Sequence, residues 1–150
     1  MKLWLALAPD VASAAGLAQP GGEAPERLHS TLAFFGERDE ADTQRLRACV
    51  RVLAGLQGPF TASFGADRVF GPPADAVRAV ELQSDVLHHL RALLELALPA
   101  RLQPDSRWPY APHLTLGPVA LEPGPLPQTI QFDRLLLVHG DQHEQILLRG

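Results

Sequence analysis

The chain contains one cysteine, Cys49, in 150 residues. An intramolecular disulfide and a thiolate metal cluster are therefore excluded, and a reducing cytoplasm is the expected location. Lysine is equally scarce, since Lys2 stands alone and arginine carries the remaining positive charge. The formal net charge is −4, which excludes a wholly basic nucleic-acid binder while leaving room for a local basic cleft. No stretch approaches the ~20 apolar residues of a membrane span, so no membrane association is expected. The start, Met1-Lys2 followed by Leu3 to Ala8 and then Ala12-Ser13-Ala14, imitates a signal peptide. Its apolar run is short and stops at Pro9-Asp10, which favours a buried first strand. The remaining composition, 46% hydrophobic and 20% charged, suits one domain over residues 1–150.

Periodicity predicts strands over 2–8, 27–35, 60–70 (with a bulge-prone Gly65), 76–83 and 113–119, and a closing pair over 129–139 and 143–149 around Gly140-Asp141. Helices are predicted over 10–19, 39–56 and from Ser84-Asp85 to about Leu98. Leu46, Val50, Leu53 and Leu56 form the stripe of the second, with Arg45, Arg47 and Arg51 toward water, and Leu87, Leu90, Leu94 and Leu98 form that of the third. Residues 99–111 read as a long loop, as does the stretch marked by Pro123, Pro125 and Pro127. Long strands joined by tight turns, with helices between, indicate an α+β class with mainly antiparallel sheet.

Two short segments carry the chemistry. His29-Ser30-Thr31-Leu32 and His113-Leu114-Thr115-Leu116 are each His-x-Thr-Leu on a predicted strand. Residues i and i+2 of a strand share a face, so each motif presents an imidazole beside a hydroxyl. With six His and five Thr in the chain, chance supplies about 0.2 His-x-Thr matches, so two with a following Leu form a specific signal. One neutral and one protonated imidazole can move protons on opposite sides of a phosphorus atom near neutral pH, and the threonines can hold its non-bridging oxygens. That chemistry calls for no metal and no nucleotide cofactor.

The sequence resembles the two-histidine phosphoesterase superfamily and, within it, the RNA 2′,3′-cyclic phosphodiesterases, also called 2′-5′ RNA ligases. The resemblance is carried by residues 2–7, by residues 28–37 (Leu-His-Ser-Thr-Leu-Ala-Phe-Phe-Gly-Glu), by residues 78–82, and by Tyr110-Ala111-Pro112-His113-Leu114-Thr115-Leu116. It implies two pseudo-symmetric lobes, each bringing one motif to a central cleft, with helices packed outside. It implies hydrolysis of RNA-terminal 2′,3′-cyclic phosphate to a 2′-phosphate, with reversible 2′-5′ RNA ligation as a possible second activity when a 5′-hydroxyl replaces water. His29 is then the proton donor, His113 the proton acceptor, and Thr31 and Thr115 the phosphate ligands. RNA ends or cyclic nucleotides are the expected substrates of a monomer with no obligate protein partner. Two positions depart from the pattern: Pro118 stands where relatives often carry an arginine, and Glu81 where they often carry a tryptophan.

Other residues are weaker candidates. Phe34 or Phe35 could stack a base, Trp108 and Tyr110 border the second motif, and Arg27, Arg78 and Arg107 could rim the cleft. Ser30 should face away from His29, which argues against a Ser-His nucleophile. His88 and His89 read as surface or packing residues. His139 and His143 flank the last turn beside Glu144 but lack a third spaced ligand, so no metal site is read there. Two alternatives stay open: a related phosphodiesterase acting on small cyclic nucleotides or 2′-5′ linkages, and a non-catalytic module that binds RNA ends.

Overall fold

Three side chains fix where the helices begin. Asp10 accepts from the Ser13 N–H (2.7 Å), Asp39 from Asp42 N–H (2.9 Å) and Ser84 from Leu87 N–H (3.2 Å), each satisfying an N–H left orphaned at a helix start. The computed structural model describes residues 1–122 and 124–150; Pro123, read above as a loop residue, lies outside them. Helices α1 (Val11–Leu17), α2 (Glu40–Leu56) and α3 (Asp85–Ala97) alternate with strands β1 (Lys2–Pro9), β2 (Ser30–Glu37), β3 (Phe60–Phe70), β4 (Val77–Gln83), β5 (His113–Pro118), β6 (Thr129–His139) and β7 (Gln142–Leu147). The class is α+β, and every strand pair is antiparallel.

The strands run β2-β1-β6-β3-β4-β5, with β7 also on β6. β6 is the shared spine. Its start, Thr129–Phe132, pairs with β3, and its remainder pairs with β1 on one edge and β7 on the other. One set of strands thus carries the first motif at β2 and the other carries the second at β5. Those two end strands come together again across the cleft, where Glu23 N–H, just ahead of β2, donates to the Leu116 carbonyl of β5 (2.8 Å).

Strand alternation sorts the side chains. Leu3, Leu5 and Leu7 of β1 join the buried cluster that contains Leu46, Val50, Leu87, Leu90 and Leu94 of the helices, whereas Trp4 lines the cleft. β6 repeats this, with Leu135 and Leu137 in the core and Leu136 on the cleft side. Each fully buried leucine contributes about 1.5–3 kcal/mol of burial. β7 follows the same rule: Glu144 meets Arg47 (2.7 Å) and Arg51 (3.7 Å) of α2, so its neighbour His143 faces the other way. Arg47 is therefore not a solvent-facing residue, because it anchors β7 to the helix.

The element boundaries correct the expectation in one place that matters. The strand predicted to start at residue 27 starts at Ser30, because Pro25 opens a 3-10 turn over Pro25–Arg27. Elsewhere the ends agree or shift by one or two residues, and β3 and β6 match the expected bounds at both ends. The β3–β4 register slips between Phe64 and Asp67, around Gly65. Gly140 takes φ of 60° in the β6–β7 turn, where a two-residue hairpin loop needs a glycine first. Among the described residues, no helix is long and apolar enough to cross a membrane.

Candidate active site

Both histidines are held in the same way. His29 Nδ1 lies 2.8 Å from the Arg27 carbonyl oxygen, and His113 Nδ1 lies 2.8 Å from that of Ala111. A carbonyl oxygen can only accept, so Nδ1 carries the hydrogen in each ring and Nε2 is left for proton transfer. Each ring is also backed by an aromatic neighbour. Trp4 sits 4.9 Å from His29, tilted by 43°, and Phe70 stacks on His113 at 4.3 Å and 26°. The two motifs thus repeat in carbonyl, imidazole and supporting ring. Ser30 and Leu114, the residues between each His and Thr, are fully buried on the opposite face.

Two cavities open at the motifs, and the motifs share them crosswise. A cavity of about 380 Å³ is lined by His29 and Thr115, with Trp4, Glu23, Arg27 and His143. A second of about 580 Å³ is lined by His113 and Thr31, with Phe34, Phe70, Trp108 and Tyr110. Each therefore combines the imidazole of one motif with the hydroxyl of the other. The charges of His113 and His143 both act on His29, which places the imidazoles within electrostatic reach of each other. The second cavity is the more apolar, and its aromatic walls suit a flat heterocycle.

Burial is the largest influence on His29 and lowers its pKa below the ordinary 6.5. The hydrogen bond to the Arg27 carbonyl and the charge of Glu23 act in the opposite direction, and the His113 and His143 charges add to the lowering. Burial pushes the Tyr110 phenol up, so it stays neutral. Hydrogen bonds from Arg107 hold the Asp105 carboxyl below the usual carboxylate range. Arg91 is buried beneath this wall. It donates to the Leu32 carbonyl (2.8 Å) and the Asp105 carbonyl (3.4 Å), and lies 5.2 Å from the Tyr110 ring centre. Together with the Asp105 N–H to Phe34 carbonyl bond (2.7 Å), it ties the 99–112 loop to β2 and shapes the second cavity.

The other residues singled out from the sequence divide. Phe34 is 56% exposed and lines the second cavity, as do Trp108 and Tyr110. Phe35 is 4% exposed in the core and cannot touch a ligand in the cleft. The cause is a pair of bulges: Ala6 pairs with Thr31 but Leu5 with Ala33, and Trp4 pairs with Phe34 but Leu3 with Gly36. Extra residues at Leu32 and Phe35 break the alternation and turn Phe34 to the cleft. Arg27 lines the first cavity, whereas Arg107 is tied to Asp105 and Arg78 donates to the Val119 carbonyl (3.1 Å). Glu81 pairs with Arg68, and Pro118 ends β5. His88 packs edge-on against Tyr110 (5.4 Å), and His139 is buried. Sequence reasoning missed Glu23, Phe70, Arg91 and His143. Strand parity carried a signal for His143 alone, since its neighbour Glu144 had helix arginines to meet.

The profile of the 2′-5′ RNA ligase superfamily matches residues 5–135. Among curated proteins, an RNA 2′,3′-cyclic phosphodiesterase of Bacillus subtilis is 34% identical over 97 residues, which are 62% of this chain and 52% of that relative. The chain therefore aligns with about half the length of that relative. A crystal structure of a Thermus thermophilus protein superposes with a TM-score of 0.76 at 24% identity, covering 100% of this chain and 99% of the other. Escherichia coli LigT complexed with 3′-AMP superposes with a TM-score of 0.61 at 21% identity, covering 98% and 94%. At these identities the two structures speak to the fold alone.

Proposed function

The chain belongs to the 2′-5′ RNA ligase superfamily, and we propose that it hydrolyses RNA-terminal 2′,3′-cyclic phosphate to a 2′-phosphomonoester by metal-independent acid–base catalysis. The observation that carries this reading is the pair of imidazoles, each with Nδ1 committed to a carbonyl and each sharing a cavity with the other motif's threonine. The name of the Bacillus subtilis relative supports the choice of substrate.

The cyclic phosphate sits between the two motifs. His113 Nε2 takes a proton from water as the water oxygen attacks phosphorus. The P–O3′ bond breaks on the opposite side, and the protonated His29 Nε2 gives its proton to the leaving oxygen. Thr31 and Thr115 donate to the non-bridging oxygens, where charge develops. The products are a 2′-phosphate and a free 3′-hydroxyl, with the two histidines in exchanged protonation states. With a 5′-hydroxyl in place of water as nucleophile, the same steps form the P–O5′ bond, break P–O3′ and leave a 2′-5′ linkage with a free 3′-hydroxyl. The apolar second cavity offers space for a nucleoside.

The test is an assay in EDTA on a cyclic-ended oligoribonucleotide and on 2′,3′-cyclic AMP, with the product phosphate assigned to the 2′ or 3′ position. Hydrolysis to the 2′-phosphate is expected, with loss of at least roughly 10²-fold for His29→Ala or His113→Ala. Activity abolished by chelator, or undiminished in both variants, refutes the reading. Binding of the RNA end without turnover would assign the chain to a non-catalytic role.

A further inference from the structure

Glu23 is a carboxylate in a site that must hold a phosphate anion. It lines the same cavity as His29, is half-buried, and forms no ion pair among the described residues. A negative charge there weakens anion binding, so its presence calls for a compensating gain.

Its position is built, not incidental. The Glu23 N–H donates to the Leu116 carbonyl of β5 (2.8 Å), and Gly22 N–H donates to the Gln19 carbonyl (2.9 Å). The Gln19 side-chain oxygen accepts from Gly124 N–H (2.7 Å). Gly22 and Gly117 pack backbone to backbone, so tightly that a Cβ on Gly117 would lie 2.8 Å from the Gly22 Cα. Only residues without a side chain allow this approach. The segment preceding the first motif is thus clamped onto the strand of the second, and Glu23 is carried into the cleft with it.

His29 is surrounded by groups of both signs. Trp4 of β1 and Leu136 of β6 are uncharged walls, and Thr115 of β5 is neutral. Glu23, Glu26 and Arg27 approach from the segment before β2, His143 from β7, and His113 acts from β5. Burial and the two histidine charges all disfavour a protonated His29, whereas the hydrogen bond to the Arg27 carbonyl and, after it, the charge of Glu23 favour it. The balance lies below the ordinary value even with Glu23 in place, so loss of its charge leaves still less imidazolium at neutral pH.

We propose that Glu23 is a positioning residue whose carboxylate, held in the His29 cavity, favours the imidazolium form in which His29 acts as proton donor. This rests on the donor role given to His29 above. Phosphate affinity is reduced in exchange for a protonated acid, so removing the charge should move the two properties in opposite directions.

The decisive variant is Glu23→Gln, which keeps size and removes charge, with Glu23→Asp as the conservative control. NMR titration of the His29 ring in the substrate-free protein should show protonation at lower pH in Glu23→Gln and near-normal protonation in Glu23→Asp. With 2′,3′-cyclic AMP, kcat/KM of Glu23→Gln should fall about three- to tenfold at a pH well above the His29 midpoints read from those titrations and stay near wild type at a pH well below both. Inorganic phosphate should bind Glu23→Gln more tightly than wild type. An unshifted His29 titration, or an equal loss of rate at both pH values, overturns the proposal. Hydrolysis by the wild type with an unshifted His29 removes the Glu23 role alone. Failure of the wild type to hydrolyse the substrate removes the function itself, whatever His29 does.

Discussion

Replacing Phe70 with alanine tests how far the imidazoles are held by their aromatic neighbours. Phe70 ends β3 and stacks on His113 at 4.3 Å and 26°, while the backbone carbonyl of Ala111 holds the ring's Nδ1. A pair of this kind is worth about 0.5–1.5 kcal/mol beyond area burial. If the stack serves to orient His113, its loss raises the barrier by up to that amount, a fall in kcat of about 2- to 13-fold. Phe70 is half-buried at a strand end, so the thermal midpoint should drop by only a few degrees. The assay is kcat for 2′,3′-cyclic nucleotide hydrolysis beside a melting curve, with Phe70→Tyr as the control that keeps a stacking ring. An unchanged kcat in Phe70→Ala would refute the orienting role. A loss as deep as that of His113→Ala would also refute it, because the Ala111 hydrogen bond should retain most of the geometry.

Two further outcomes follow from the site. His29 has its pKa lowered by burial; as proton donor it is active only when protonated, so kcat/KM of the free enzyme should decline as pH rises through a value below 6.5. A profile that instead declines on the acid side through that same group, as read from the His29 NMR titration, would make His29 the base and exchange the two roles. Arg91→Ala should destabilise the fold by about 1–3 kcal/mol, since it strips the Leu32 carbonyl of a buried donor, and calorimetry should register a midpoint lowered by several degrees. The same change should weaken nucleotide binding, because Arg91 ties the 99–112 loop to β2; unaltered stability and affinity together would contradict this.

Much of the architecture was legible because its causes are local. Ser84 announces a helix start one residue before it occurs, and the leucine stripes of α2 and α3 are the ones that pack, except Leu56, which the last turn of α2 leaves 69% exposed. The fold class follows from strand lengths and turn residues. The bounds of β2 were misread because Pro25 sets up a turn where the apolar pattern alone suggests a strand. The choice between Phe34 and Phe35 was not legible at all. It depends on two bulges in the pairing with β1, and a bulge is decided between strands rather than within one.

The sequence by itself determined that two imidazole–hydroxyl pairs exist and that each pair lies on one face of an extended segment, because alternation needs no partner strand. Only the tertiary structure decided that the pairs share cavities crosswise, since that requires β6 to bind both halves of the sheet and Gly22 to settle on Gly117. It also decided the charges around His29. Glu23 lies six residues away from it and His143 more than a hundred, and an electrostatic environment is set by distance in space, which chain separation does not report.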